Sequence, residues 1–358
     1  MCQLVLVQCA GTKVSKNFVA ETNVPRVDFK RTLKKLSTPW VVQRVSPVVS
    51  EDFIFQATTS GLIGFSKDGK ELWKFPVKDG VLGTPLYYQR KVFFGAQDGY
   101  FYCLGAHDGK LVWKRETDRS VVAQPVGWKH SIYFVTTGNE LYALNADTGK
   151  WLWHYKRAAQ PLQVQVLGGH ALSLYGESLY AGFSDGYITH LSAASGSVLW
   201  AKKIGEGVRF TDIISAPYVD KKQVIVLDYE GELHSLDKTS GALLWKSSFG
   251  GIRFFFINNG FIYVTTANND VAALRYERGA VVWKQHVEGG SLTAPVILDN
   301  RIYVGSGSKY LHVLSTEDGH AVWRYRTKYG FTASPTVFGT RVYAFSNSSR
   351  LIVFKQAM

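Results

Sequence analysis

The chain has 358 residues, 46% of them hydrophobic, and its 41 Lys plus Arg against 28 Asp plus Glu leave a formal charge of +13. Every apolar run is of strand length and broken by glycine or charge, which excludes a membrane-spanning helix, and three cysteines, Cys2, Cys9 and Cys103, give no framework of paired sulfurs. The positive balance favours acidic surfaces, with Lys30-Arg31 and Lys34-Lys35 as a basic cluster suited to anionic lipid or a partner.

The first element in chain order is the apolar stretch Leu4-Val5-Leu6-Val7-Gln8-Cys9, which resembles the end of a bacterial lipoprotein signal peptide and makes Cys9 the expected lipid-attachment residue. The usual basic start is missing and Gln8 stands where a small residue is expected, so an accidental apolar run is the alternative. Residues 1–25 are read as a signal remnant and tether, and 26–358 as a single domain. Within the latter, Arg26-Val27-Asp28-Phe29-Lys30-Arg31 precedes the repeats and is predicted to be a closing strand.

From there the chain repeats with a period of about 40 residues, the length of a four-stranded propeller blade. Trp73, Trp113, Trp153, Trp200, Trp245, Trp283 and Trp323 close successive units. The order within a unit is clearest between Gly83 and Arg115: an opening strand after Thr84-Pro85, a second at Lys91–Gly95, a third at Tyr100–Leu104 and a fourth at Leu111–Lys114. Asp98-Gly99 and Asp108-Gly109 separate the last three, as antiparallel hairpins require. Opening strands fall near Ser46-Pro47, Thr84-Pro85, Gln124-Pro125, Gly169-His170, Ala216-Pro217, Arg253-Phe254, Ala294-Pro295 and Ser334-Pro335. The final unit runs through Arg341–Phe345 and Leu351–Phe354 and lacks a fourth strand, which Arg26–Arg31 is placed to supply. The predicted fold is therefore all-β: an eight-bladed propeller of four-stranded antiparallel blades closed by an N-terminal strand.

The residues that carry chemistry in other settings have structural readings here. The tryptophans are expected to staple adjacent blades, with the indole nitrogen bonding locally. Asp68, Asp98, Asp108, Asp147, Asp185 and Asp318 stand at glycine turns, where a carboxylate caps the turn. Cys103 is expected to be a packed thiol, and Lys74, Lys114, Lys156, Lys202, Lys246, Lys284 and Arg324 a ring of solvated cations. The nine histidines occupy different repeat positions; His234 and His312 share a phase two blades apart, too far for one metal ion. No catalytic residue, cofactor or metal ligand is expected. Nucleic acid is set aside as a partner because the repeat aromatics are committed to packing.

The phrases Asp-Gly-Lys-x-x-Trp and Gly-x-x-Tyr-x-Leu resemble the repeats of pyrroloquinoline-quinone-type propellers over about residues 40–358. Blade count, length and the lipobox-like segment are most similar to the BamB family of outer-membrane assembly lipoproteins. That resemblance implies a non-enzymatic scaffold, monomeric within a complex on the periplasmic face of the outer membrane, whose partner is a BamA-like barrel-forming subunit. It places the protein-binding surface at Val164, Val166 and Leu167, where the family carries Leu-x-Leu-Arg-Gly, and at Asp212 in Arg209-Phe210-Thr211-Asp212-Ile213-Ile214. Leu167 replaces the family arginine and Ile214 a second acid, so the expected contact is more apolar or relocated. The alternatives are a generic protein-binding propeller of the envelope and a quinone-dependent dehydrogenase. The enzyme reading lacks the adjacent cysteines that such dehydrogenases carry.

Overall fold

A computed structural model describes residues 25–32, 45–117, 119–157, 171–204 and 212–355. They form eight four-stranded antiparallel sheets, numbered blades 1 to 8 from the sheet that begins at Val48. All eight opening strands lie at the predicted places.

Blade 2 shows why the sequence folds this way. Its strands are Leu86–Tyr88, Lys91–Gly95, Tyr100–Gly105 and Leu111–Glu116, in spatial order from first to fourth. The two middle strands are continuously apolar and nearly wholly buried, because each face of a blade is covered by a neighbouring blade. The fourth alternates exposed and buried residues, as a half-covered edge does. Gln89 and Arg90 join the first two strands with φ of 48° and 61°, a two-residue turn of the primed kind that follows the strands' twist.

The outer two strands of blades 1 to 7 share an irregularity. In blade 2 the register shifts between Cys103 and Leu104, immediately beyond the pairing of Cys103 with Trp113, and each of the other six blades breaks at the equivalent step. A bulge at one fixed place re-aims the side chains beside it, so it sets the direction of every repeat tryptophan.

The ring closes as predicted. Arg26–Thr32 pairs antiparallel with Arg350–Lys355, completing blade 8 in the order Arg26–Thr32, Arg350–Lys355, Arg341–Ser346, Thr336–Phe338. The closing strand carries its own register shift between Val27 and Phe29, and Phe29 pairs with Val353 at the register position tryptophan holds elsewhere. Arg341 Nε donates to Asp28 Oδ2 at 2.7 Å, and Thr336 Oγ1 donates to the Pro47 carbonyl of blade 1 at 2.7 Å.

The tryptophans do staple the blades, but their nitrogens do not bond locally. Trp73, Trp113, Trp153, Trp200 and Trp283 donate to the carbonyls of Ala106, Ala146, Ala193, Lys238 and Thr316, each in the following blade, at 2.9–3.2 Å. The reach is lateral because the bulge turns the indole toward the seam and away from its own strand.

Two further expectations are corrected. Asp98, Asp108, Asp185 and Asp318 accept the backbone N–H two residues on, as turn caps. Asp147 instead receives Lys91 Nζ of the preceding blade at 2.5 Å, while the Asn145 side chain caps its turn. The cations are not uniformly solvated: Lys156, Lys246 and Lys284 pair with Glu140, Glu232 and Asp270 across the outer strands, and Lys114 and Arg324 lie over the rings of Tyr100 and Tyr310. A solvated ring would leave these carboxylates, nearly buried in two of the three pairs, without a counter-charge. Cys103 is a buried free thiol, and burial pushes its pKa up to about 12.

Candidate partner-binding face

The hairpins between second and third strands, and the connections from each blade to the next, emerge on one face of the ring. Residues 158–170 and 205–211, the connections leaving blades 3 and 4, lie outside the described residues. Val164, Val166 and Leu167 fall there, as does Cys9 at the other end of the chain. The ground from which these connections spring is described.

The connection after blade 3 departs from a fixed stem. Arg157 Nε donates to Asp185 Oδ2 of blade 4, and the guanidinium carbon lies 3.6 Å from the centre of the Tyr187 ring. Asp185 is itself set by accepting the Tyr187 N–H at 3.2 Å. Beside it, Asn139 takes a left-handed φ of 60° and exchanges hydrogen bonds with Ser184: its Nδ2 donates to Ser184 Oγ at 2.7 Å and its Oδ1 accepts the Ser184 N–H at 3.1 Å. A mostly buried arginine with a carboxylate on one edge and a ring on its face is held in one geometry. The sequence signalled only half of this, because Asp185-Gly186 reads as one more turn.

The connection after blade 4 returns at Asp212. Its side chain is 1% exposed, so the residue is an anchor of the connection and not part of its outer surface. Ile213 next to it donates its N–H to the Phe183 carbonyl of blade 4 and bridges to Asp228 of blade 5. Gly182 leaves the space for this wedge, since a Cβ there would stand 2.5 Å from Ile213 Cγ2. Blades 4 and 5 are thus pinned where the two connections meet the ring.

Asp228, to which Ile213 bridges, belongs to a charged cluster that spacing did not reveal. His234 Nε2 and Asp228 Oδ2 are 2.7 Å apart, Asp228 Oδ1 accepts the Glu232 N–H at 2.8 Å, and Lys246 Nζ is 2.6 Å from Glu232 Oε2. Asp228, Glu232 and His234 could offer a metal ion three atoms within 4.8 Å of one another. Each already has a partner, and the Lys246 ammonium supplies the positive charge a metal would bring, so the cluster fits a structural network better than a metal site. His312, which shares the phase of His234, lies in blade 7 and joins no such cluster.

The fold defines a class: an eight-bladed propeller of the pyrroloquinoline-quinone repeat type with short hairpins between its strands. The family model described as outer membrane protein assembly factor BamB matches residues 60–285 and 229–357. The chain belongs to that family. An outer membrane protein assembly factor BamB of Yersinia pestis is 32% identical over 142 residues, 36% of this chain and 36% of that protein, and that of Escherichia coli strain K12 is 28% identical over 147 residues, 37% and 38%. The chain thus matches little more than a third of these relatives' length. The crystal structure of BamB from Moraxella catarrhalis superposes with a TM-score of 0.80 at 22% identity, covering 93% of this chain and all of that one. A europium-containing methanol dehydrogenase superposes at 0.74 with 12% identity over 92% of this chain and 93% of that one, a likeness of fold alone.

Proposed function

We propose that this protein is a non-enzymatic scaffold in outer membrane protein assembly, acting on the periplasmic face of the outer membrane through a BamA-like barrel-forming subunit. The observation that carries the reading is the family match, which runs through the repeats from residue 60 to 357. Its relatives are named as assembly factors.

The partner surface comprises the two connections after blades 3 and 4, with Val164, Val166 and Leu167 as its apolar contacts. Asp212 serves it from below by holding the second connection against the blade 4 and 5 seam. Two connections rooted on the fixed pairs Arg157–Asp185 and Ile213–Asp228 present a surface whose base does not have to be ordered on binding, which lowers the cost of association. Lipid attachment at Cys9 would keep the face near the membrane.

The test is capture of the tagged protein from mildly solubilised envelopes. Stoichiometric recovery of the barrel-forming subunit, lost in Leu167→Asp with the melting temperature unchanged, supports both role and surface. Its absence under conditions that retain a known assembly complex points to a generic binding propeller instead.

A further inference from the structure

The seams between blades are not filled alike. The residue two positions after the repeat tryptophan faces the next blade, and in blades 1, 3 and 7 it is aromatic. Phe75 meets Tyr102 edge-on with ring centres 5.7 Å apart, Tyr155 lies 6.1 Å from Phe183, and Tyr325 lies 5.2 Å from Phe354. In blade 6 the equivalent residue is Gln285, and the position of Tyr102 is taken in blade 7 by His312. Two smaller polar side chains thus replace an aromatic pair, and a cavity of about 420 Å³ opens between them. That volume lies within the usual range of small-molecule sites.

His312 is 9% exposed, and its Nε2 is buried with no hydrogen-bond partner among the described residues. The Glu288 backbone beside the ring favours a proton on it; with that proton assigned to Nδ1, Nε2 carries a lone pair. Burial first, and then the nearby Arg324 guanidinium, push the His312 pKa down to about 4, so the ring is neutral at ordinary pH. A buried acceptor left unmet costs about 1–3 kcal/mol, and here it stands in the wall of a cavity.

We propose that the seam between blades 6 and 7 is a binding site for an uncharged, hydroxyl-bearing ligand of mono- to disaccharide size, which donates a hydroxyl hydrogen to His312 Nε2. A metal cation is disfavoured by Arg324 beside the imidazole, and an anion by Glu288 in the same wall. A hydroxyl group donates and accepts at once, so one molecule can satisfy His312 and Glu288 as acceptors and Arg324 and Gln285 as donors. Gln285 and Arg324 line the same cavity as His312. The site lies between blades 6 and 7, away from the connections after blades 3 and 4, and its failure would leave the assignment of those connections untouched.

The test is calorimetric titration and saturation-transfer NMR of the full chain with glucose, maltose and N-acetylglucosamine, with acetate and phosphate as ionic probes. At least one sugar is expected to bind saturably with a Kd of roughly millimolar, weakened about tenfold or more in His312→Leu. Gln285→Phe refills the seam as Phe75 does in blade 1; it should abolish binding while holding or raising the melting temperature, so lost binding there is not lost folding. No saturable binding by any of the three sugars, affinity unchanged in Gln285→Phe, or tighter binding of acetate or phosphate than of sugar would each overturn the proposal.

Discussion

The indole of Trp113 lies directly beneath Gly149 of the following blade: a Cβ on that glycine would stand 2.6 Å from Trp113 Cδ2, while Trp113 Nε1 donates to the Ala146 carbonyl at 3.2 Å. The same stacking joins Trp73 to Gly109, Trp153 to Gly196, Trp200 to Gly241, Trp245 to Gly279 and Trp283 to Gly319. The turn glycine is therefore required twice, once for its positive φ and once for the ring that covers it.

Those two requirements can be separated. Gly149 and Gly339 have φ of 65° and 56°, but only Gly149 has a ring over it, and nothing lies within 4 Å of a Cβ on Gly339. Gly339→Ala should cost about 1–2 kcal/mol for left-handed backbone alone. Gly149→Ala should cost clearly more in the same urea titration, because the Trp113 ring or the turn must move.

The tryptophans should rank by their hydrogen bonds. Trp200→Ala should cost about 3–5 kcal/mol as a large-to-small change at a seam. Trp245 Nε1 has no partner among the described residues, whereas Trp113 Nε1 is bonded. Trp113→Phe should therefore destabilise by about 1 kcal/mol more than Trp245→Phe in paired thermal melts.

Closure predicts a steep loss on truncation. Deleting residues 26 to 36 removes the outer strand of blade 8, its ladder to Arg350–Lys355 and the Asp28–Arg341 pair, and leaves a long unpaired edge. A sharp fall in melting temperature is expected. Asp28→Ala, which keeps the ladder, should lower it only slightly, since that pair is about one-third exposed at both ends.

His312 makes a pH-dependent contribution whose sign is fixed. Its folded pKa is about 4 against 6.5 for a free imidazole, so the unfolded chain binds the extra proton first as pH falls. Stability from this residue is complete above pH 6.5 and is lost progressively down to about pH 4. The total is on the order of 3 kcal/mol. Urea titrations at several pH values should show that slope in the native protein and a shallower one in His312→Leu; equal slopes would contradict it.

The repeat carried most of the fold in plain view. Strand order, eight blades and the closing role of Arg26–Arg31 follow from short apolar strands set off by glycine turns inside a unit and a tryptophan period between units, because each blade can bury its faces only against another. The candidate surface was legible in part. Val164, Val166 and Leu167 were expected there only from the family resemblance and lie outside the described residues, whereas the stem at Arg157 depends on its meeting Asp185 and Tyr187 from another blade, 28 and 30 residues away.

Sequence by itself thus determined the ring, its closure and the tryptophans at the seams, since these depend on short apolar strands between turns and on a repeat that each unit states again. Tertiary structure alone decided that the indoles bond forward to the next blade, that Asp212 is buried, that Asp228 meets His234, and that one seam is left open between Gln285 and His312. The reason is physical: a seam brings together side chains from two units, and whether they fill it depends on their summed shape, which neither unit's sequence contains.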